Sequence, residues 1–451
     1  MKRKITTLLL GSFVAANAFA GGLMTNTNYH IAFDRMMARG ASIEIDGTYS
    51  NPAGLVWGKD GGQLSFNWQS PRQNRDITTT FPLFPGENNT KKYHGKASAP
   101  FVPGLFGMYK RDRWAVSAMV GIFGSGGYVK YDNGLPMFEV PVLAMLTQSG
   151  MTPEMYTIDT QMRGKQYIYG AQANFTYRLN DHFSAAIGVR ASYYDGYYRG
   201  HLVTTTAPAL GSKELINVQL DVDQRGWGWN PIIGLNYRWR NLTLAARYEF
   251  RTRLNIPNKT HTLSASVNTG NPTIDAAAAS RLGALTGPYQ DGAKTRYDMP
   301  ALLSVAAGYE FRPNVRATLE YHFFDDKNAK MAGDRQKTLK HGTHEFLAGV
   351  EWDITKMFTV SAGGQRTDYG LSDDYQQHTS FACDSYSVGL GGAVNVNRHV
   401  RLNVSYFWTM YSDYKKHIPA GTPGYLGTGL EGTDRFSRTN GVFGLGIDYK
   451  F

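Results

Sequence analysis

The stretch "YIYGAQANFTYRLNDHFSAAIGVR", residues 167–190, decides the fold. Tyr167, Tyr169, Ala171, Ala173, Phe175 and Tyr177 fall on one face of an extended chain, and Gln172, Asn174, Thr176 and Arg178 on the other. A turn at Asn180-Asp181 follows, and Phe183, Ala185, Ile187 and Val189 then resume the alternation. Period two over this length is the pattern of a β-strand with one apolar and one polar face. A turn this short can only join antiparallel neighbours.

The same alternation recurs along the chain from residue 63. It is found in Leu64-Phe66-Trp68, Trp114-Val116-Ala118-Val120, Ile233-Leu235-Tyr237-Trp239 and Leu242-Leu244-Ala246-Tyr248, and it ends with Phe443-Leu445-Ile447-Tyr449-Phe451. With a less regular strand at about 100–109, the reading gives fourteen strands. Their connections alternate between short turns, such as Arg111-Asp112, Arg240-Asn241 and Pro313-Asn314, and long loops at roughly 70–99, 124–163, 195–217, 251–296, 325–342, 368–384 and 410–439. Six short turns against seven long loops is the arrangement of an even-stranded transmembrane barrel with both termini on the periplasmic side. The expected fold is therefore all-β, a 14-stranded antiparallel transmembrane β-barrel occupying residues 63–451. An exposed apolar last strand would invite edge-to-edge association in water, and closing the barrel removes that edge.

Composition agrees with this reading. Among 451 residues there are 50 Gly, 28 Tyr and 23 Phe, which suits strands and interfacial aromatic belts. Lys2, Arg3 and Lys4 precede an apolar run from Ile5 to Ala16, and Ala18-Phe19-Ala20 completes the pattern of an export signal over residues 1–20. That apolar run is too short to span a bilayer as a helix. Removing the three signal cations from the net charge of +11 leaves +8, and export argues against a nucleic-acid partner. Cys383 stands alone, so no disulfide framework is expected. The sequence carries no G-x-S-x-G, H-E-x-x-H or phosphate-binding loop, and the reading is a non-enzyme with no catalytic residues, no metal and no cofactor.

Residues 21–62 lack period-two alternation. Ile31, Phe33, Met36 and Met37 are spaced for a short helix or irregular packing. A fourteen-stranded barrel is too wide for its own side chains to fill, so this segment is expected to be an N-terminal plug. It ends in "YSNPAGL", Tyr49 to Leu55, where Pro52 and Gly54 also fit a type I or II turn.

That motif, Asn51-Pro52-Ala53-Gly54, resembles the N-P-A motif of the FadL family of outer-membrane channels for long-chain fatty acids and aromatic hydrocarbons. The resemblance extends to the signal, the strand count and the terminal Phe451, which is similar to the signal read by the outer-membrane insertion machinery. It implies a hatch inside a fourteen-stranded barrel in the outer membrane of a Gram-negative bacterium. It also implies passive uptake of hydrophobic molecules by a monomer in contact with outer-membrane lipid, with sideways release through a gap near a strand kink. The segment before the motif departs from the commonest family pattern through Asp34, Arg35, Arg39, Glu44 and Asp46.

A greasy substrate needs an apolar lining. Both faces of "FVPGLFGMY", 101–109, are apolar, and Val102, Phe106 and Met108 with Met119 and Phe123 are the candidate inner path. The alternative is that these side chains pack against the plug. Pro103 cannot donate to a ladder, and with Gly121 and Gly124 it marks the candidate gap. Met137, Phe138, Leu143, Met145, Ile274 and Leu282, in two apolar loops, are candidates for an outer collecting groove, the alternative being loop-on-loop packing. Arg190 and Arg247, on inward faces, are the candidate partners of a ligand carboxylate. A general or haem-related porin or receptor is the rival function, since loops set specificity.

Overall fold

The computed structural model describes residues 23–451, apart from the side chains at positions 125, 126, 274, 277, 281, 284 and 285, so the export-signal expectation for residues 1–20 lies outside it. The chain closes a barrel of fourteen antiparallel strands. They are β1 (Gly61–Thr80), β2 in two pieces (Thr90–Ser98 and Val102–Arg111), β3 (Trp114–Tyr131), β4 (Tyr156–Arg178), β5 (Phe183–Thr206), β6 (Glu214–Trp239) and β7 (Leu242–Glu249). The second half comprises β8 (Leu302–Arg312), β9 (Val315–Phe324), β10 (Thr343–Asp353), β11 (Phe358–Asp368), β12 (Ser385–Asn395), β13 (Val400–Tyr411) and β14 (Gly432–Lys450). Each strand pairs with its neighbours in sequence, and β14 pairs with both β13 and β1 to close the ring. The chain end completes the seam: the Gly62 amide donates to the Phe451 carbonyl and the Phe451 amide to the Gly62 carbonyl, both at 2.9 Å.

The polarity of the wall is inverted relative to a protein that folds around an apolar core. Ile187 and Leu319, pointing outward, are 65% and 67% exposed, whereas the inward Asn174, Ser184, Asn236 and Ser304 are buried. Trp227, Trp229, Tyr386, Tyr406 and Trp408 are exposed on the same outer band. A continuous apolar belt around a whole barrel is far larger than the few hundred Å² that a protein in water leaves bare.

The short turns all lie at one end with the chain terminus, and the seven long connections at the other. The strands run further toward the loop end than the alternation predicts. Residues 70–80, 90–98, 124–131, 156–163, 195–206 and 214–217, read as loops, are strand. Beyond the apolar belt the outward positions become Arg72, Asn74, Asp76 and their like, so the contrast between faces disappears while the ladder continues. Asn255–Val267 adds to the outer half of β6, and Tyr414–Ile418 to β14. Helices Pro136–Gln148 and Pro272–Thr286 complete the loop end.

Residues 23–60 lie inside the ring, and nearly all of them are buried. Helix α1 (Ile31–Met36) has His30 at its N-cap, where the imidazole Nδ1 accepts from the Ala32 amide at 3.1 Å, and Met37 in the left-handed conformation at its C-cap. The helix lies directly on the wall of β10 to β14. A Cβ added at Gly363 would stand 1.6 Å from the Met36 carbonyl oxygen, so only glycine admits this approach. The barrel proper starts at Gly61, two residues before the boundary read from the sequence.

Candidate functional site

The N-P-A-G motif braces the inner segment against three strands. Pro52–Trp57 is a 3₁₀ helix with Pro52 in its first turn, rather than a β-turn leading into β1. Asn51 caps it by accepting from the Gly54 amide at 3.2 Å. The Asn51 Nδ2 donates to the Ser42 carbonyl at 3.0 Å and to Asn236 Oδ1 of β6 at 2.9 Å. The Pro52 carbonyl accepts from Thr176 Oγ1 of β4 at 2.7 Å, and the Ala53 carbonyl from Ser184 Oγ of β5 at 2.6 Å. The Pro52 and Ala53 carbonyls and the Asn51 amide nitrogen are thus partnered by the polar inner face of the wall.

Ion pairs fix the end nearest the turns. Arg35 is paired with Glu351 of β10, and Arg39 Nε lies 2.6 Å from Asp46 Oδ2. Arg401 of β13 holds Glu44 at 3.0 Å. Glu320 of β9 accepts from the Arg39 and Gly40 amides at 2.8 and 2.7 Å and from His322 Nε2 at 2.6 Å. A vestibule of about 870 Å³ opens below this layer and is lined by Arg39, Glu44, Lys59, Arg316, Arg401 and Lys450 among others. An alkyl chain crossing here would have to separate buried ion pairs, which is strongly unfavourable. Asp34, within α1, is fully buried, and desolvation, which outweighs the Asn28 side chain beside it, holds its pKa well above the ordinary range.

Arg190 and Arg247 face inward as expected, but both are already engaged. Arg190 Nη1 lies 2.5 Å from Glu249 Oε2, and its Nε and Nη2 donate to Gln172 Oε1 at 3.0 and 2.6 Å. Arg247 donates to the Tyr49 carbonyl and lies 3.3 Å from the same Glu249 carboxylate. Both guanidiniums stack on Tyr49, and Arg190 also sits 4.2 Å from the centre of the Phe123 ring. The pair thus clamps the inner segment, and an incoming carboxylate would have to compete with Glu249.

The wall itself is interrupted between β2 and β3. Their ladder runs from Arg111↔Trp114 to Leu105↔Val120, stops, and resumes at Ser98↔Tyr128. Residues 99–104 and 121–127 therefore face each other without pairing. On its other side β3 bulges between Ile122 and Gly124 and again between Gly124 and Gly127. Pro103, Gly121 and Gly124 all lie in this stretch. The carbonyls freed on β3 are taken by the inner segment. Ile122 O accepts from Asn26 Nδ2 at 3.0 Å, and Phe123 O from the Asn26 amide and the Tyr29 hydroxyl, both at 3.1 Å. A Cβ at Gly124 would lie 2.1 Å from the Met24 carbonyl, so the segment presses against the bulge.

Phe106, Met108, Met119 and Phe123 are buried in one cluster with Leu23, Met24, Tyr29 and Tyr49 of the inner segment. Phe106 meets His30 edge-on at 5.1 Å between ring centres, and Tyr29 lies 4.9 Å from Phe123. Val102 packs separately, with Ala99 and Ile122 at the interruption. Four of the five predicted inner residues are thus brought together, Val102 excepted, and they pack on the segment within. At the loop end Leu143 is buried in a second cluster under the roof, against which Met137, Phe138, Met145 and Leu282 are partly buried. The side chain of Ile274 lies outside the described residues. Asn26 and Tyr29, which hold the interruption, carry no sequence signal, because the segment around them has no periodicity.

No protein-family model and no curated protein sequence matches this chain. Solved structures do. A FadL homologue of Pseudomonas aeruginosa superposes with a TM-score of 0.65 at 15% identity, covering 96% of this chain and 100% of that one. The Pseudomonas putida toluene transporter TodX gives 0.55 at 13% identity over 91% and 95% of the two chains. The Ralstonia pickettii toluene transporter TbuX gives 0.53 at 13% over 91% and 94%. At these identities what the chain shares with them is the fold.

Proposed function

We propose that this chain is an outer-membrane channel of the FadL type that takes up hydrophobic molecules passively. The outward apolar belt fits a bilayer, the polar inner wall fits a barrel whose lumen is plugged, and residues 23–60 act as the hatch. Fatty acids follow from the family resemblance, and small aromatic hydrocarbons from the names of the toluene transporters TodX and TbuX. Substrate enters through the apolar roof around Met137, Phe138, Leu143, Met145 and Leu282. It then reaches the apolar cluster of Phe106, Met108, Met119 and Phe123.

Release is lateral, between β2 and β3. The observation that carries this is the unpaired stretch of wall beside the apolar cluster, covered from inside by the segment around Met24, Asn26 and Tyr29. The downward route ends in the ion-paired layer, so the side wall is the path that keeps a hydrophobe out of water and away from buried charge. A general porin would show an open polar constriction where this chain has a packed segment.

Gly121 provides the test. A Cβ there would stand 3.9 Å from Met119 Cε and Pro103 O and 4.0 Å from Tyr29 Cδ1, so a larger side chain would occupy the inner side of the interruption. Gly121→Phe is expected to lower hydrophobe uptake by cells at least about tenfold, while the barrel still resists heat and detergent as a folded band. Uptake at the wild-type rate in a folded Gly121→Phe barrel would overturn lateral release.

A further inference from the structure

The outer face of the wall carries a row of side chains that run across six strands in register. Asn74, Lys96, Lys130, Arg163, Arg199 and Asp221 are each the direct cross-strand partner of the next, from β1 to β6. The four in the middle are all cations. Like charges directly opposite one another destabilise an antiparallel pair, and here Lys96↔Lys130, Lys130↔Arg163 and Arg163↔Arg199 follow in succession. Two of the four have a carboxylate at hand: Lys130 Nζ lies 2.5 Å from Asp132 Oδ1, and Arg199 Nε lies 2.9 Å from Asp221 Oδ1. Lys96 and Arg163 are exposed and form no ion pair with any described carboxylate.

The height of the row on the wall says what faces it. Toward the loop end the outward positions of β4 run Tyr169, Tyr167, Lys165, Arg163, and those of β6 run Trp229, Trp227, Arg225. Tyr167 stacks on Tyr169 with ring centres 5.5 Å apart, and Tyr193 of β5 lies 4.5 Å from Trp227. The Arg199 guanidinium sits 4.5 Å from the centre of the Tyr197 ring. Aromatic girdles of this kind mark the rim of the apolar band in a transmembrane barrel, so the cations stand at the level of the lipid head groups. A soluble acidic protein would have to displace lipid to reach them. Four strands in register span about 14 Å between the outermost two, too far for one phosphate to serve every cation. Arg binds phosphate through its fork and Lys as a point charge.

We propose that Lys96, Lys130, Arg163 and Arg199 bind the head group of an outer-leaflet glycolipid that carries two phosphates on its sugars, with its acyl chains lying along the apolar belt. This rests on the outer-membrane placement above and adds a resident lipid to it, distinct from any transported molecule. Lys96 and Lys130 stand two residues beyond Ser98↔Tyr128, where the ladder of β2 and β3 resumes. A head group held there ties the two strands together at the loop end of their interruption.

Titration of the full protein in neutral detergent with lipid A bearing both phosphates, and with lipid A stripped of both, tests the proposal by native mass spectrometry. Wild type is expected to bind the phosphorylated lipid at least about tenfold more tightly. The double variant Lys96→Gln with Arg163→Gln should lose about tenfold for that lipid and change by less than about twofold for the stripped one. Both positions are exposed, and a heat-resistant band shows that the variant has folded. Arg163→Lys should keep most of the affinity, and Arg366→Gln, which removes an exposed cation on β11, should change neither lipid. Wild type without a preference overturns the head-group site, as does unchanged affinity in the folded double variant or an equal loss for both lipids. The same loss from Arg366→Gln would also overturn it, and displacement of the lipid by hexaglutamate at matched ionic strength would make the row a protein contact instead. Recovery of the chain outside the outer-membrane fraction of cells would overturn the placement itself and leave the binding result standing.

Discussion

Asn51 shows how one side chain ties the hatch to the wall. Its amide serves the Ser42 carbonyl, Asn236 and the Gly54 amide at once. In Asn51→Ala the first two lose their donor inside the barrel, at about 1–3 kcal/mol for each group left unsatisfied. The strand ladder does not depend on these bonds. Limited proteolysis should therefore cut within residues 42–58 of the variant while the barrel stays intact, and resistance equal to wild type would contradict the brace. Asp326 belongs to the same scale. Its carboxylate accepts from the Leu23 amide at 3.3 Å and the Thr343 amide at 3.0 Å, and burial pushes its pKa up to about 6 from 3.8. A raised carboxyl pKa means that the folded protein holds the proton more tightly than the unfolded chain. The resulting stabilisation is full below about pH 4 and is lost as pH rises through about 6. Wild type should gain thermal stability relative to Asp326→Asn as pH falls from 7 to 4, and parallel pH profiles of the two proteins would count against the assignment. Such contacts were not legible in the sequence: Asn51 stood out as part of a motif, but its partner Asn236 is 185 residues away.

At the level of elements, the strands were legible wherever one face is apolar, because alternation reports the difference between faces rather than the ladder itself. Tyr167 to Tyr177 shows that difference and was found. Arg72 to Thr80 continues the same ladder with two polar faces and read as a loop. The interruption between β2 and β3 was partly legible, through Pro103 and the glycines from 121 to 127. Its extent was not, because a register gap belongs to two strands at once. The same holds for the outward cation row, whose members meet only through the registers of β2 to β5. The interruption makes its own prediction. Residues 105–110 of β2 have β3 as well as β1 beside them, whereas residues 102–104 retain only β1. Amide exchange measured by mass spectrometry should show protection over 99–104 at least about tenfold below that of 105–110. Equal protection would mean that the ladder closes in solution.

On the scale of the whole molecule, two closures are stacked within one wall. The roof is an apolar cluster drawn from several long loops, adaptable because methionines such as Met137, Met145 and Met151 contribute to it. The floor is the hatch, locked by ion pairs and by the N-P-A-G brace. On the proposed reading a hydrophobe enters through the first and does not cross the second, and the unpaired stretch between β2 and β3 lies beside the apolar cluster of Phe106, Met119 and Phe123. This arrangement assigns the barrier to water and ions to residues 23–60. A ring of fourteen strands is too wide to be filled by its own inward side chains. Removing the hatch should therefore leave a wet pore rather than a collapsed one, with Glu320, Glu351 and Arg401, now stripped of their hatch partners, solvated along it. A chain lacking residues 23–60, reconstituted in planar bilayers, is expected to conduct ions in large steady steps, while the intact chain stays closed or nearly so. Conductance of the shortened barrel no greater than that of the intact one would place the barrier in the roof instead, and the hatch would then serve only to hold the gap between β2 and β3 in shape.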